Sequence, residues 1–283
     1  MKVKIERVTK STLNKTFDYL NQHEETSQFL IGNLKSFGPD MIDHQYSGNF
    51  KMLVSNNRIE GVFYLNKVGT LIAQASKDHA RLILESCKEE DVLVKGFIGS
   101  WDIISEIYEY YRKENPQFNP GYKSKEILYK YILKRNDSTL CYDDRVKLLT
   151  NNDFEKWYPL HLDYMQELKL PETGTKEEVR KNFQIGAREK IRWGLFKDNQ
   201  LIAIAALNST SEKTGQVGGV FTKSKLRQKG YGKAICLHML KDCIEIHGHT
   251  KNILFTGEED IPAQKLYESI GYERIGFFAL IFS

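Results

Sequence analysis

Apolar and polar residues alternate with a readable period over the second half of the chain. Val146-Lys147-Leu148-Leu149 has the look of a short strand, and Asn151-Asn152-Asp153 offers N-cap chemistry for a helix over Phe154–Leu168. Thr175 with Glu178 three residues on forms a capping box, which predicts a helix over Lys176–Arg188. Strands are expected at Ile191–Lys197, Leu201–Ser209 and Gly215–Thr222, then a helix over Gly232–His247. A strand at Asn252–Thr256, a helix at Ile261–Ile270 and a strand at Tyr272–Phe282 complete the half. The order is β-α-α-β-β-β-α-β-α-β, an α+β pattern around a mixed, mostly antiparallel sheet.

The first half is harder to read. Helices are expected at Ser11–His23, His79–Glu89 and Trp101–Lys113, with a buried strand at Asp91–Ile98 and a loop at Asn115–Gly121. One pattern ties it to the second half. Leu53-Val54-Ser55-Asn56-Asn57-Arg58-Ile59 lies without gaps on Leu195-Phe196-Lys197-Asp198-Asn199-Gln200-Leu201, strand–turn–strand in both. Leu65-Asn66 falls on Leu207-Asn208 at the same offset. The match is compatible with an internal duplication, and domains are expected at 1–140 and 141–283.

Composition narrows the class. At 283 residues and 41% hydrophobic, the chain has material for two cores. A net charge of +4 is too small to argue for nucleic acid, but it suits a polyanionic small molecule. No apolar leader pattern opens the sequence, and the purest apolar run, Leu201–Leu207, is far too short to span a bilayer. Cys87, Cys141, Cys236 and Cys243 form no Cys-x-x-Cys pair, which reads as reduced thiols and a cytoplasmic protein. No four-ligand spacing emerges around Cys243, His247 and His249, so no metal is expected.

The chemistry concentrates in Gly218-Gly219-Val220-Phe221-Thr222 and Arg227-Gln228-Lys229-Gly230-Tyr231-Gly232-Lys233. Glycine inside a strand marks a bulge or a close backbone approach. Glycines at a helix start let N–H groups crowd onto an anion that the helix dipole also favours. The spacing Arg-x-x-Gly-x-Gly is neither the dinucleotide Gly-x-Gly-x-x-Gly nor a Walker loop. It resembles the acyl-CoA pyrophosphate loop of the GNAT N-acetyltransferase superfamily. Downstream, Asp260 to Tyr272 resembles the family's Asn-x-x-Ala-x-x-Leu-Tyr-x-x-x-Gly-Phe. Ala263, Leu266, Tyr267 and Gly271 match, while Asp260 and Tyr272 replace Asn and Phe.

The resemblance covers roughly Val146 to Ser283. It is similar to two-domain bacterial members with a degenerate GNAT-like front half, which Phe29-Leu30-Ile31-Gly32-Asn33-Leu34 also resembles. What it implies is tandem GNAT-like halves and an acetyl-CoA-dependent N-acetyltransferase in which an amine attacks the thioester directly. Val220, Phe221, Thr222, Arg227, Gln228, Lys229, Gly230, Tyr231, Gly232, Lys233 and Asp260 are the implied cofactor-binding residues, with no metal. Tyr267 is the implied partner of the leaving thiolate. Glu167 is the candidate base, with Glu258 and Glu259 as alternatives. The implied partner is a small-molecule or peptide amine, without nucleic acid or membrane, and a homodimer is compatible with the sequence. The alternative is a non-catalytic acyl-CoA-binding or sensing protein.

Overall fold

A computed structural model describes residues 3–168 and 174–283. In chain order the first repeat runs β1 (Lys4–Arg7), α1 (Leu13–Gln22), α2 (Glu24–Phe37), β2 (Lys51–Ser55), β3 (Arg58–Leu65) and β4 (Thr70–Ala75). It continues with α3 (Ala80–Lys88), β5 (Gly96–Ser100), α4 (Trp101–Glu114) and β6 (Tyr122–Ile132). The second repeat runs β7 (Val146–Leu148), α5 (Phe154–Glu167), α6 (Lys176–Arg188), β8 (Arg192–Lys197), β9 (Gln200–Thr210) and β10 (Thr214–Thr222). It ends with α7 (Tyr231–Glu245), β11 (Lys251–Gly257), α8 (Ile261–Ile270) and β12 (Glu273–Phe282). The two orders are the same. The expected strand at Asp91–Ile98 lies instead at Gly96–Ser100, and α2 joins the helices that the sequence pattern predicts.

The matched hairpins agree in detail. Asn56 and Asn57 take φ of 52° and 60°; Asp198 and Asn199 take 49° and 60°. Two consecutive left-handed residues make the turn that follows the natural strand twist. A register shift lies between Leu53 and Val54 in the first hairpin and between Leu195 and Phe196 in the second. These are the same positions in the ungapped match.

The residues group into two compact units that interleave along the chain. One holds residues up to Leu128 with Phe255–Glu259 and Ile275–Ser283; the other holds Tyr129–Leu254 with Asp260–Arg274. A cut near residue 140 separates the two repeats of the element order, whereas compactness assigns the chain's last strand to the first unit.

In the first unit the strands are ordered β1-β2-β3-β4-β5-β12-β6. Strand β12 runs antiparallel to β5, with Phe278 opposite Ser100 and Phe282 opposite Gly96. Ala279 and Ile281 go to one face, with Ile83, Leu84, Ile103 and Ile107 from α3 and α4. Phe278 goes to the other, with Leu20, Leu30, Ile31 and Leu34 from α1 and α2.

In the second unit the order is β6-β11-β10-β9-β8-β7. Phe154, Trp157, Leu160 and Phe183 of α5 and α6 pack with Ile204 and Phe221 on one face. On the opposite face Trp193 is buried and its indole donates to Asp242 of α7 at 2.7 Å. Thr150, rather than Asn151 or Asn152, caps the turn ahead of α5, in a box with Asp153. No helix among the described residues is long and apolar enough to cross a membrane.

Candidate functional site

The alternation of β10 breaks at its glycines. Gly218 pairs with Ala206 and Phe221 with Ile204, so Gly219 and Val220 together face the single residue Ala205. Gly219 has φ of 62°, and nothing lies within 4 Å of where a Cβ would stand. Glycine is needed there for its backbone conformation, not for space. The parallel register of β10 with β11 covers Thr214–Gln216 only. From Val217 the two strands part, and the bulged edge of β10 offers backbone donors and acceptors to an extended chain.

The chain then turns into α7. Gln228 and Gly230 both take left-handed φ, 61° and 79°, alternating with an ordinary residue. Such alternation gathers successive N–H groups on one side. Among the described residues, no backbone carbonyl accepts from the N–H groups of Gln228 to Lys233. These amides, the positive end of a fifteen-residue helix and the charge of Arg227 and Lys229 suit an anion. Gly232 sits close to Leu266, where a Cβ would come to 3.3 Å, so α7 and α8 approach closely at the same point.

The third part is α8. Asp260 accepts from the Ala263 amide at 3.1 Å, Pro262 lies in the first turn, and Gly271 ends the helix at φ 110°. Tyr267 is buried, near the rings of Tyr129 and Tyr272 at 6.3 and 5.7 Å. Burial, and then the neighbouring Cys236, Tyr164 and Asp260, hold its phenol well above the usual range. It therefore carries its proton throughout the working pH range.

Five sequence-predicted residues have other partners. The Asp260 carboxylate caps α8. The Lys233 ammonium donates to the Ser269 carbonyl at 2.9 Å. Glu167 is exposed and accepts from Arg227 at 2.7 Å, while the Arg227 Nε donates to the Thr222 carbonyl at 2.9 Å. Glu258 pairs with Lys125 at 3.2 Å. Val220, Phe221 and Thr222 lie along the bulged edge, and Tyr231 is buried at the helix start.

Residues that the motifs did not reveal share the α5/α6 face of the sheet. Arg192 pairs with Ala206, which pairs with Gly218, so all three face the same way. The Arg192 guanidinium lies 5.2 Å from the Trp157 ring and 5.7 Å from Phe183, over Gly186, where a Cβ would collide with it. His161 stacks on Trp157 at 4.5 Å, and burial together with Arg192 pulls it down to about 4. Gln216, two residues before Gly218, is 1% exposed, and neither atom of its amide has a partner. A Cβ at Gly218 would strike the Asn208 amide. Only strand register brings Arg192, Asn208 and Gln216 together; in sequence they are unremarkable polar residues at strand ends.

Residues 154–272 match the Acetyltransferase (GNAT) family. No curated protein matches the chain in sequence. Among solved structures, an acetyltransferase of the GNAT family from Colwellia psychrerythraea covers 99% of this chain and 100% of its own, at 14% identity and TM-score 0.57. A GCN5-related N-acetyltransferase from Sphaerobacter thermophilus covers 99% and 95%, at 10% identity and TM-score 0.66. A tandem GNAT protein from the clavulanic acid biosynthesis pathway covers 100% and 98%, at 10% identity and TM-score 0.59. At these identities the likeness concerns the fold. Residues 154–272 thus form a GNAT acetyltransferase domain, an acyltransferase, and the chain as a whole shares its fold with a tandem GNAT protein.

Proposed function

We propose that the second unit transfers an acetyl group from acetyl-CoA, the co-substrate of the family, to an amine by direct attack on the thioester. Acetyl-CoA supplies an activated acyl carbon and a good leaving group. The bulged edge from Gly218 to Thr222 holds an extended amide chain, and an amide at or beside Phe221 donates to the acyl oxygen. The N–H groups of Gln228 to Lys233, with Arg227 and Lys229, hold the diphosphate. A C–N bond forms as the C–S bond breaks, the amine gives up one proton to water, and Tyr267 protonates the departing sulfur.

The buried, protonated phenol of Tyr267 at the packed junction of α7 and α8 carries the catalytic reading over the sensing one. A sensor needs no proton donor there. Tyr267→Phe is expected to lower kcat by about a hundredfold while the Kd for acetyl-CoA stays unchanged, read by thiol release and calorimetry. Full turnover in the variant removes Tyr267 from the mechanism. Absence of thermal stabilisation by saturating acetyl-CoA sinks the reading altogether.

A further inference from the structure

We propose that the acceptor is an amine that also bears a carboxylate, with Arg192 holding the carboxylate and Gln216 contacting the amine. The proposal rests on the acetyl-transfer reading and names its second substrate.

Arg192 is a half-buried cation with no direct ion pair, although the Glu189 carboxylate acts on it from further away. Among the described residues no carboxylate lies within ion-pair distance of it. Among the described residues its Nε is buried without a partner, and its guanidinium donates only a long 3.4 Å contact to the Asn182 carbonyl. Burial lowers it to about 10, a desolvation that the more distant Glu189 offsets only in part. Two aromatic rings return part of that cost through cation–π attraction, but they use none of the five N–H donors. An apolar side chain would fill the same space without the charge. A guanidinium set between rings, with its donors unspent, is suited to a planar carboxylate.

Gln216 supplies the second contact. Its amide is buried with both a donor and an acceptor unused, a state that costs stability unless a ligand or water meets it. It shares the face of Arg192 through the row Arg192–Ala206–Gly218, and it sits where β10 leaves β11. Two strand spacings, about 10 Å, separate β8 from β10, a gap that an arginine side chain and a small amino acid span together. The chemistry also fits. A carboxylate at 216 would stabilise the ammonium form, which cannot attack. A neutral amide accepts a hydrogen bond from the free amine without favouring its protonation.

The test uses the full chain with the protein amino acids, each paired with its C-terminal amide. Thiol release from acetyl-CoA is expected from acids and not from their amides. Arg192→Gln should raise KM for the preferred acid about ten- to a hundredfold with a smaller effect on kcat, and Arg192→Lys should fall between. Gln216→Leu should lower kcat/KM without changing acetyl-CoA affinity. Equal use of acids and amides overturns the proposal, as does an Arg192→Lys variant that folds and loses all acceptors equally. If no amine is turned over, thermal shift of the CoA-loaded protein decides: a shift by an acid, absent with its amide and lost in Arg192→Gln, supports the site, and no shift overturns it. Failure to bind acetyl-CoA defeats the transfer reading separately, because shifts by amino acids are read on the free protein too.

Discussion

The turn from β4 to α3 and the turn from β10 to α7 occupy the same place in the two repeats and are built differently. Strand β4 pairs with β3 from Leu71 to Ala75 without a register shift and stays parallel to β5 over Thr70–Ala73. No glycine occurs between Thr70 and Lys95. Ser76 accepts from the Asp78 amide, so a side chain of the chain itself takes up a donor near the helix start. Strand β10 is bulged at Gly219, parts from β11 after Gln216, and leads into amides without internal partners. The architecture is common to both; the capacity for an anion and an extended chain belongs to one interrupted strand and one turn. Function here is a local departure from a regular fold.

The comparison breaks most sharply at the bulge. Gly219→Val places a β-branched residue at φ 62° and is expected to make β10 resemble β4. Turnover should fall about a hundredfold, with a stability loss of about 1–3 kcal/mol, read by kinetics and chemical denaturation. Gly219→Asn, which tolerates the left-handed region, should retain more of both.

Removing loop charge is a milder change. Arg227→Ala should weaken acetyl-CoA binding about tenfold. Glu167→Gln should tighten it, because Arg227 is then released from its ion pair, while the rate changes little. A large loss of rate with a missing acidic limb in Glu167→Gln would mark Glu167 as the base.

The second repeat also carries an acid weakness. Burial, with Arg192 beside His161 and His247 beside His249, holds both imidazoles near 4. An unfolded histidine titrates near 6.5. Between these values the unfolded chain takes up protons that the folded one refuses, so stability should fall as pH drops from about 6.5 towards 4. Thermal melts over that range should flatten in a His161→Gln, His249→Gln variant. Smallest of all, Ser76→Ala with Asp78→Ala should leave acetyl-CoA affinity unchanged; a weaker Kd would show that the first turn also binds.

Local chemistry was legible where residues act on near neighbours. The Thr175–Glu178 capping box forms as the sequence expects, because it involves residues three apart. The duplication was visible in one hairpin because its turn needs the same two left-handed residues in both copies. Strand β5 forms at Gly96–Ser100, a few residues beyond the expected Asp91–Ile98. Neighbouring strands approach so closely at Gly96 and Gly99 that a Cβ would collide with the carbonyls of Ile281 and Ala73. Helix α2 follows α1 after a single residue, His23, with no proline or glycine to announce it. At the site, the loop and Tyr267 stood out by motif, while Arg192 and Gln216 did not. Their shared face depends on pairings through β9, which no local window contains.

The strand that closes the first unit is made long after the strand it pairs with. Phe278 pairs with Ser100, so β5 leaves the ribosome with its β12 edge bare. At about 5–20 residues per second, its partner follows on the order of ten seconds later. Through that interval a strand of glycine, phenylalanine and isoleucine waits without its neighbour, open to mispairing. The first unit is thus finished only once β12 emerges, and its vulnerability to aggregation is set by elongation rate as much as by its own stability.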